Sequence, residues 1–116
     1  MDNSLKISPD EQLGLVKRLY FDQLPFQKRT QQIVREVMKQ EENTLYTLSY
    51  KTGWGYWNEK TGKNIGWIVG WIEENNHPWF FVLNLESPDP HFDMVSVRMK
   101  ILKDILGQLG FMKGRM

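Results

Sequence analysis

The sequence predicts an α+β domain: an antiparallel meander of three strands with two helices before it and one after. Three observations carry that prediction. Apolar residues recur at helical spacing early in the chain and again near its end. Between these stretches the composition turns β-branched and aromatic in three runs. The connections between the runs are short, polar and rich in turn formers, which suits antiparallel neighbours and leaves no room for crossover helices.

Ser8-Pro9-Asp10-Glu11 opens the first helix, with Ser8 as N-cap, Pro9 in the first turn and Glu11 reaching back as in a capping box. Leu13, Val16, Leu19 and Tyr20 follow at helical spacing until Leu24-Pro25-Phe26, where the proline disfavours helical geometry for Leu24. Ile33, Val34, Val37 and Met38 form one apolar stripe, so a second helix is expected over 29–42, with Asn43 as its stop. Strands are expected over 44–50, 65–73 and 79–86. The middle one is apolar on both faces, as a strand covered on both sides is, and Gly66 and Gly70 leave room there for something bulky. After the Ser87-Pro88-Asp89-Pro90 breaker, Met94, Val95, Ile101, Leu102, Ile105, Leu106 and Leu109 make a final amphipathic helix punctuated by Gly107 and Gly110. A start at the threshold of a helix, and a three-stranded sheet covered on both faces, make residues 1–116 read as part of a domain.

Composition narrows the function classes. The 15 Lys+Arg and 14 Asp+Glu of this 116-residue chain leave a net charge of +1, with the signs interspersed, so no nucleic-acid partner is implied. The longest uninterrupted apolar run, 79–83, is too short to cross a bilayer as a helix. The absence of cysteine removes disulfides, thiolate metal sites and thiol nucleophiles. His77 and His91 lack the spacing of a metal pair and read as surface residues. No signal peptide is visible in the first thirty residues.

Two positions carry candidate chemistry. Lys51-Thr52-Gly53 ends the first strand: an ammonium and a hydroxyl there can hold a carboxylate, and the glycine lets a ligand lie against the strand. The same tripeptide recurs as Lys60-Thr61-Gly62, where its polar neighbours mark a hairpin turn and a solvated lysine. Arg98 falls on the last helix on the face of positions 94, 101, 105 and 109, which are Met, Ile, Ile and Leu, so the periodicity puts a guanidinium along a buried stripe. It is either a helix-to-sheet salt bridge, a snorkelling arginine or a group reserved for an anionic ligand. Trp54, Tyr56, Trp57, Trp67, Trp71 and Trp79 could stack on a ligand, though aromatic strand residues more often fill the core.

In order along the chain, Leu5-Lys6-Ile7-Ser8-Pro9-Asp10-Glu11-Gln12, Leu24-Pro25-Phe26, Lys51-Thr52-Gly53-Trp54-Gly55 and Ile65-Gly66-Trp67-Ile68-Val69-Gly70-Trp71-Ile72-Glu73 resemble the C-terminal half of class D (oxacillinase-type) serine β-lactamases. They resemble somewhat less closely the penicillin-sensing domain of receptors that regulate β-lactamase expression. The resemblance implies a β-lactamase/transpeptidase-like domain, a β-lactam as ligand, and a periplasmic or secreted location. Lys51 would sit beside the reactive serine in a proton network. Thr52 would hydrogen-bond the β-lactam carboxylate beside Gly53, the Trp54 amide would be one of two oxyanion-hole donors, and Arg98 would supply the counter-charge.

The family's nucleophile and base lie in a Ser-x-x-Lys motif whose lysine carries a CO2-derived carbamate, followed by Ser-x-Val; this sequence contains neither motif and so no site for that group. Acylation and deacylation therefore have no agent here, and the isolated chain is expected to be inert. The nucleophile would come from a preceding portion of the same domain or from another chain. Exposed apolar surface, and with it self-association, is expected to follow. A non-catalytic aromatic-rich binding module would instead have a closed fold without such surface.

Overall fold

The computed structural model describes residues 8–58, 63–88 and 93–112, with the backbone alone at 54–58 and 63–64. The described residues form three helices, α1 (Pro9–Tyr20), α2 (Lys28–Met38) and α3 (Met94–Gln108), and four strands, β1 (Lys39–Glu42), β2 (Thr47–Asn58), β3 (Lys63–Glu74) and β4 (His77–Ser87). The strands make one antiparallel sheet in the order β1-β2-β3-β4. The α+β class stands, with four strands rather than three. None of the described helices is long and apolar enough to cross a membrane.

α1 begins as its sequence requires: the Glu11 amide donates to Ser8 Oγ at 3.1 Å, with Pro9 in the first turn. Its end comes earlier than Leu24. Asp22 takes a left-handed conformation (φ 56°), the Gln23 amide reaches the Arg18 carbonyl at 2.7 Å, and the Asp22 amide reaches that of Leu19 at 3.3 Å. This is a Schellman closure with aspartate in the place glycine usually takes. Arg35 secures it from α2, donating to the Leu19 carbonyl at 2.9 Å and to the Asp22 carboxylate. The Leu24-Pro25-Phe26 turn that follows is wrapped around buried Gln31, whose amide oxygen accepts from the Leu24 N–H and whose nitrogen donates to the carbonyls of Leu24 and Phe26.

α2 stops at Met38, and the stretch expected to finish it is strand β1. Lys39-Gln40-Glu41-Glu42 brings no apolar residue to continue the stripe, and its side chains alternate half-buried and exposed, a strand's period. Glu41 is then fixed by Lys103 of α3 at 2.7 Å and by the Tyr46 hydroxyl at 3.0 Å. The stripe itself is only partly covered: Met38 is buried, while Ile33, Val34 and Val37 are exposed.

β3 is covered on both faces, as its composition demands. Leu48, Ile68 and Ile72 meet Leu102, Leu106 and Phe111 on the α3 side, whereas Val69 and Trp71 meet Val16, Leu19 and Met38 on the α1/α2 side. The two glycines of β3 admit different things. Met94 fills the space at Gly66, but a side chain at Gly70 would run into the backbone of Ser49 and Tyr50, so what Gly70 admits is the neighbouring strand. The β3–β4 hairpin turns on Asn75-Asn76, both left-handed (φ 53° and 64°).

Candidate functional site at the edge of strand β2

β1 pairs with β2 only at Thr47, Leu48 and Ser49. From Tyr50 onward the outer edge of β2 has no strand neighbour among the described residues, and Lys51-Thr52-Gly53 lies at the start of that open stretch. Across the ladder Lys51 faces Val69, Thr52 faces Ile68, Gly53 faces Trp67 and the Trp54 backbone faces Gly66. Directly opposed residues share a face. Thr52 therefore stands on the α3 side with Ile68, and Lys51 on the α1/α2 side with Val69. Lys51 is exposed, its Nζ donating to the Thr52 carbonyl at 3.3 Å; Thr52 and Gly53 are half-buried.

Arg98 reaches this edge from α3. The face that α3 buries is Met94, Arg98, Leu102 and Leu106, an i, i+4 row, and not the expected row through 101, 105 and 109; Ile105 and Leu109 are exposed. Arg98 is only 8% exposed and donates from Nη1 to the Gly53 carbonyl at 2.9 Å. Among the described residues no carboxylate lies within ion-pair distance of it. Of the readings open from sequence, a salt bridge to a described sheet residue is therefore not what holds it. Its positive charge sits beside a neutral carbonyl, on the face of the sheet that carries Thr52, an arrangement that can accept an anion.

Lys51 and Arg98 do not converge from one side, as a shared grip on a single anion would need. They reach consecutive carbonyls, those of Thr52 and Gly53, from opposite faces of the sheet. The pair that shares a face is Thr52 and Arg98. The space that the missing side chain of Gly53 leaves on the α1/α2 face is occupied by the Trp67 indole. From sequence Trp67 is legible only as an aromatic strand residue, because its place opposite Gly53 depends on the β2–β3 register.

Lys60-Thr61-Gly62 and His91 lie outside the described residues, as do the side chains of Trp54, Tyr56 and Trp57. His77 is exposed at the start of β4; among the described aromatics Trp71 is core and Trp79 is half exposed on β4, so these two do not share a platform. The described groups whose titration is clearly displaced lie elsewhere. Burial, with a hydrogen bond to Glu73, pushes the Tyr20 hydroxyl up to about 12. The Lys103 ammonium holds Glu41 below the usual carboxylate range, and Glu41 in turn raises Lys103.

A family model described as the penicillin binding protein transpeptidase domain matches residues 2–107. The β-lactamase OXA-48 of Klebsiella pneumoniae is 34% identical over 108 residues, 93% of this chain and 39% of that protein. A probable β-lactamase, YbxI of Bacillus subtilis (strain 168), is 38% identical over 87 residues, 75% of this chain and 31% of its own length. The crystal structure of a class D β-lactamase from Sebaldella termitidis ATCC 33386 superimposes with a TM-score of 0.86 at 31% identity, covering 97% of this chain and 45% of that one. The chain thus spans less than half the length of these relatives.

Proposed function

Since this chain belongs to the penicillin binding protein transpeptidase domain family and shares sequence and fold with class D β-lactamases, we propose that it forms the ligand-holding wall of a β-lactam-hydrolysing site. The observation that carries this reading is Arg98, a buried guanidinium with a carbonyl partner and no described counter-ion, on the same face as Thr52 at an open strand edge.

In this reading the anionic carboxylate of a β-lactam takes the Arg98 charge and the Thr52 hydroxyl. The uncovered edge of β2 lets the ligand's amide lie alongside the strand, and the Trp54 amide donates to the developing oxyanion. Lys51, on the other face, does not share the carboxylate; it is left to the proton network of a serine nucleophile. That nucleophile and its base come from outside this sequence, which has no Ser-x-x-Lys. Exposed Trp79, Ile105 and Leu109 on one flank, and Ile33, Val34 and Val37 on another, are apolar surfaces that such a complement could cover, and they count against a closed binding module. The relatives' names favour hydrolysis over sensing, and the working compartment would be the periplasm or the cell exterior.

The test is titration of the pure chain with benzylpenicillin, followed by amide and guanidinium NMR, beside an assay with a chromogenic cephalosporin. Shifts at Thr52, Gly53 and the Arg98 Nε–H without turnover are expected. Turnover by the pure chain, or shifts that persist unchanged in Arg98→Ala, would overturn the reading.

A further inference from the structure

Gly53 is held from two sides. Its carbonyl accepts the Arg98 guanidinium from the α3 face, and on the other face the Trp67 indole lies where its side chain would stand: a Cβ there would overlap Cζ2, Cε2 and Nε1 of the ring. Trp67 is the residue directly across the β2–β3 ladder, and on its other side it faces Asn84 of β4. Its backbone is therefore fixed between two strands, while Gly53 sits in a strand that, among the described residues, has a neighbour on one side only.

That asymmetry matters because glycine is the residue with the softest φ and ψ. Left at an open edge, the Thr52-Gly53-Trp54 backbone could pivot, and the Thr52 hydroxyl and the Trp54 amide would swing with it. An indole has two side-chain torsions and a rigid plane, so once its strand is fixed it restrains whatever it lies against. We propose that Trp67 is a positioning residue: lying across Gly53, it sets the peptide planes that aim Thr52 and the Trp54 amide. This rests on the reading of the β2 edge as a ligand wall. By strand alternation Trp67 stands on the face opposite Thr52, so it acts through Gly53 and does not itself meet the carboxylate.

The experiment compares Trp67→Ala, Trp67→Phe, Gly53→Ala and the Gly53→Ala/Trp67→Ala double variant in the chain as it exists. Three quantities are read: the urea midpoint, the amide spectrum, and the affinity for benzylpenicilloate, the hydrolysed and unreactive form of the antibiotic. Gly53→Ala is expected to lower the midpoint in the parent chain and to raise it in the Trp67→Ala background, where the space is free. Trp67→Ala should broaden or split the amides of residues 52–54 while leaving those of Val16 and Leu48 in place, and weaken penicilloate about tenfold or more. Trp67→Phe should restore most of both. A silent Gly53→Ala in the parent chain would overturn the proposal, and so would unmoved amides at 52–54 in Trp67→Ala. Core amides that move as much as the strand end would also overturn it, leaving Trp67 a packing residue. If the amides respond as expected and even the parent chain ignores penicilloate, the positioning stands and the ligand-wall reading falls.

Discussion

Arg98 and Gly53, 45 residues apart in sequence, are joined by a 2.9 Å hydrogen bond from a guanidinium to a backbone carbonyl. The bond fixes where the N-terminal half of α3 meets the open edge of β2, and in the proposed reading the rest of the guanidinium's donors meet the ligand. A lysine keeps the charge at this position and loses the planar fork. Arg98→Lys is expected to weaken penicilloate about tenfold, equivalent to about 1.4 kcal/mol, and Arg98→Ala to remove measurable binding. Calorimetric titration of the three chains checks this.

Tyr20 ties α1 to the sheet by donating its hydroxyl to Glu73 Oε2 at 3.0 Å, while Trp71 donates to the other carboxylate oxygen at 3.3 Å. Burial first, and Glu73 second, push the phenol up to about 12 from an ordinary value of 10.0. The folded state thus holds the proton more tightly than the unfolded state. Its stabilising contribution is complete below about pH 10 and is lost as pH rises through about 12. Urea midpoints measured across that window should fall more steeply in the parent chain than in Tyr20→Phe.

Gln31 is 2% exposed and makes three hydrogen bonds to the backbone of Leu24 and Phe26. Gln31→Leu keeps the volume roughly but strands the Leu24 amide and the Phe26 carbonyl at the α1–α2 turn, while the Leu24 carbonyl keeps the Phe26 N–H at 2.8 Å. A loss of about 2–4 kcal/mol in urea unfolding is expected, well above that of a surface glutamine.

The hairpin residue Asn76 adopts φ 64°. The second central position of this turn type is one where glycine meets no steric penalty. Asn76→Gly is expected to stabilise by up to about 1 kcal/mol, read as a raised melting temperature, with no effect on ligand binding.

Much of this fold was legible because its local signals agree with its tertiary packing. Ser8 caps the helix it announces, and the doubly apolar β3 is indeed covered on both faces. Legibility failed where long-range contact decided the outcome. Lys39-Gln40-Glu41-Glu42 reads as the polar tail of a helix, and only β2 and Lys103 make it a strand. Arg98 stood out as a charge on an apolar stripe, but the row it belongs to runs through 102 and 106, because the helix turns its i, i+4 ridge to the sheet. Lys51, Thr52 and Gly53 were found as a tripeptide. Their division between two faces, and the indole beside the glycine, followed only from the β2–β3 register.

β1 is four residues long, and that brevity has a consequence of its own. Because its pairing with β2 ends at Ser49, the uncovered stretch of β2 begins, among the described residues, where a segment that carries none of the proposed ligand contacts runs out. If the proposed ligand wall holds, lengthening or shortening that segment would change how much backbone is offered to a guest while Thr52 and Arg98 stay in place.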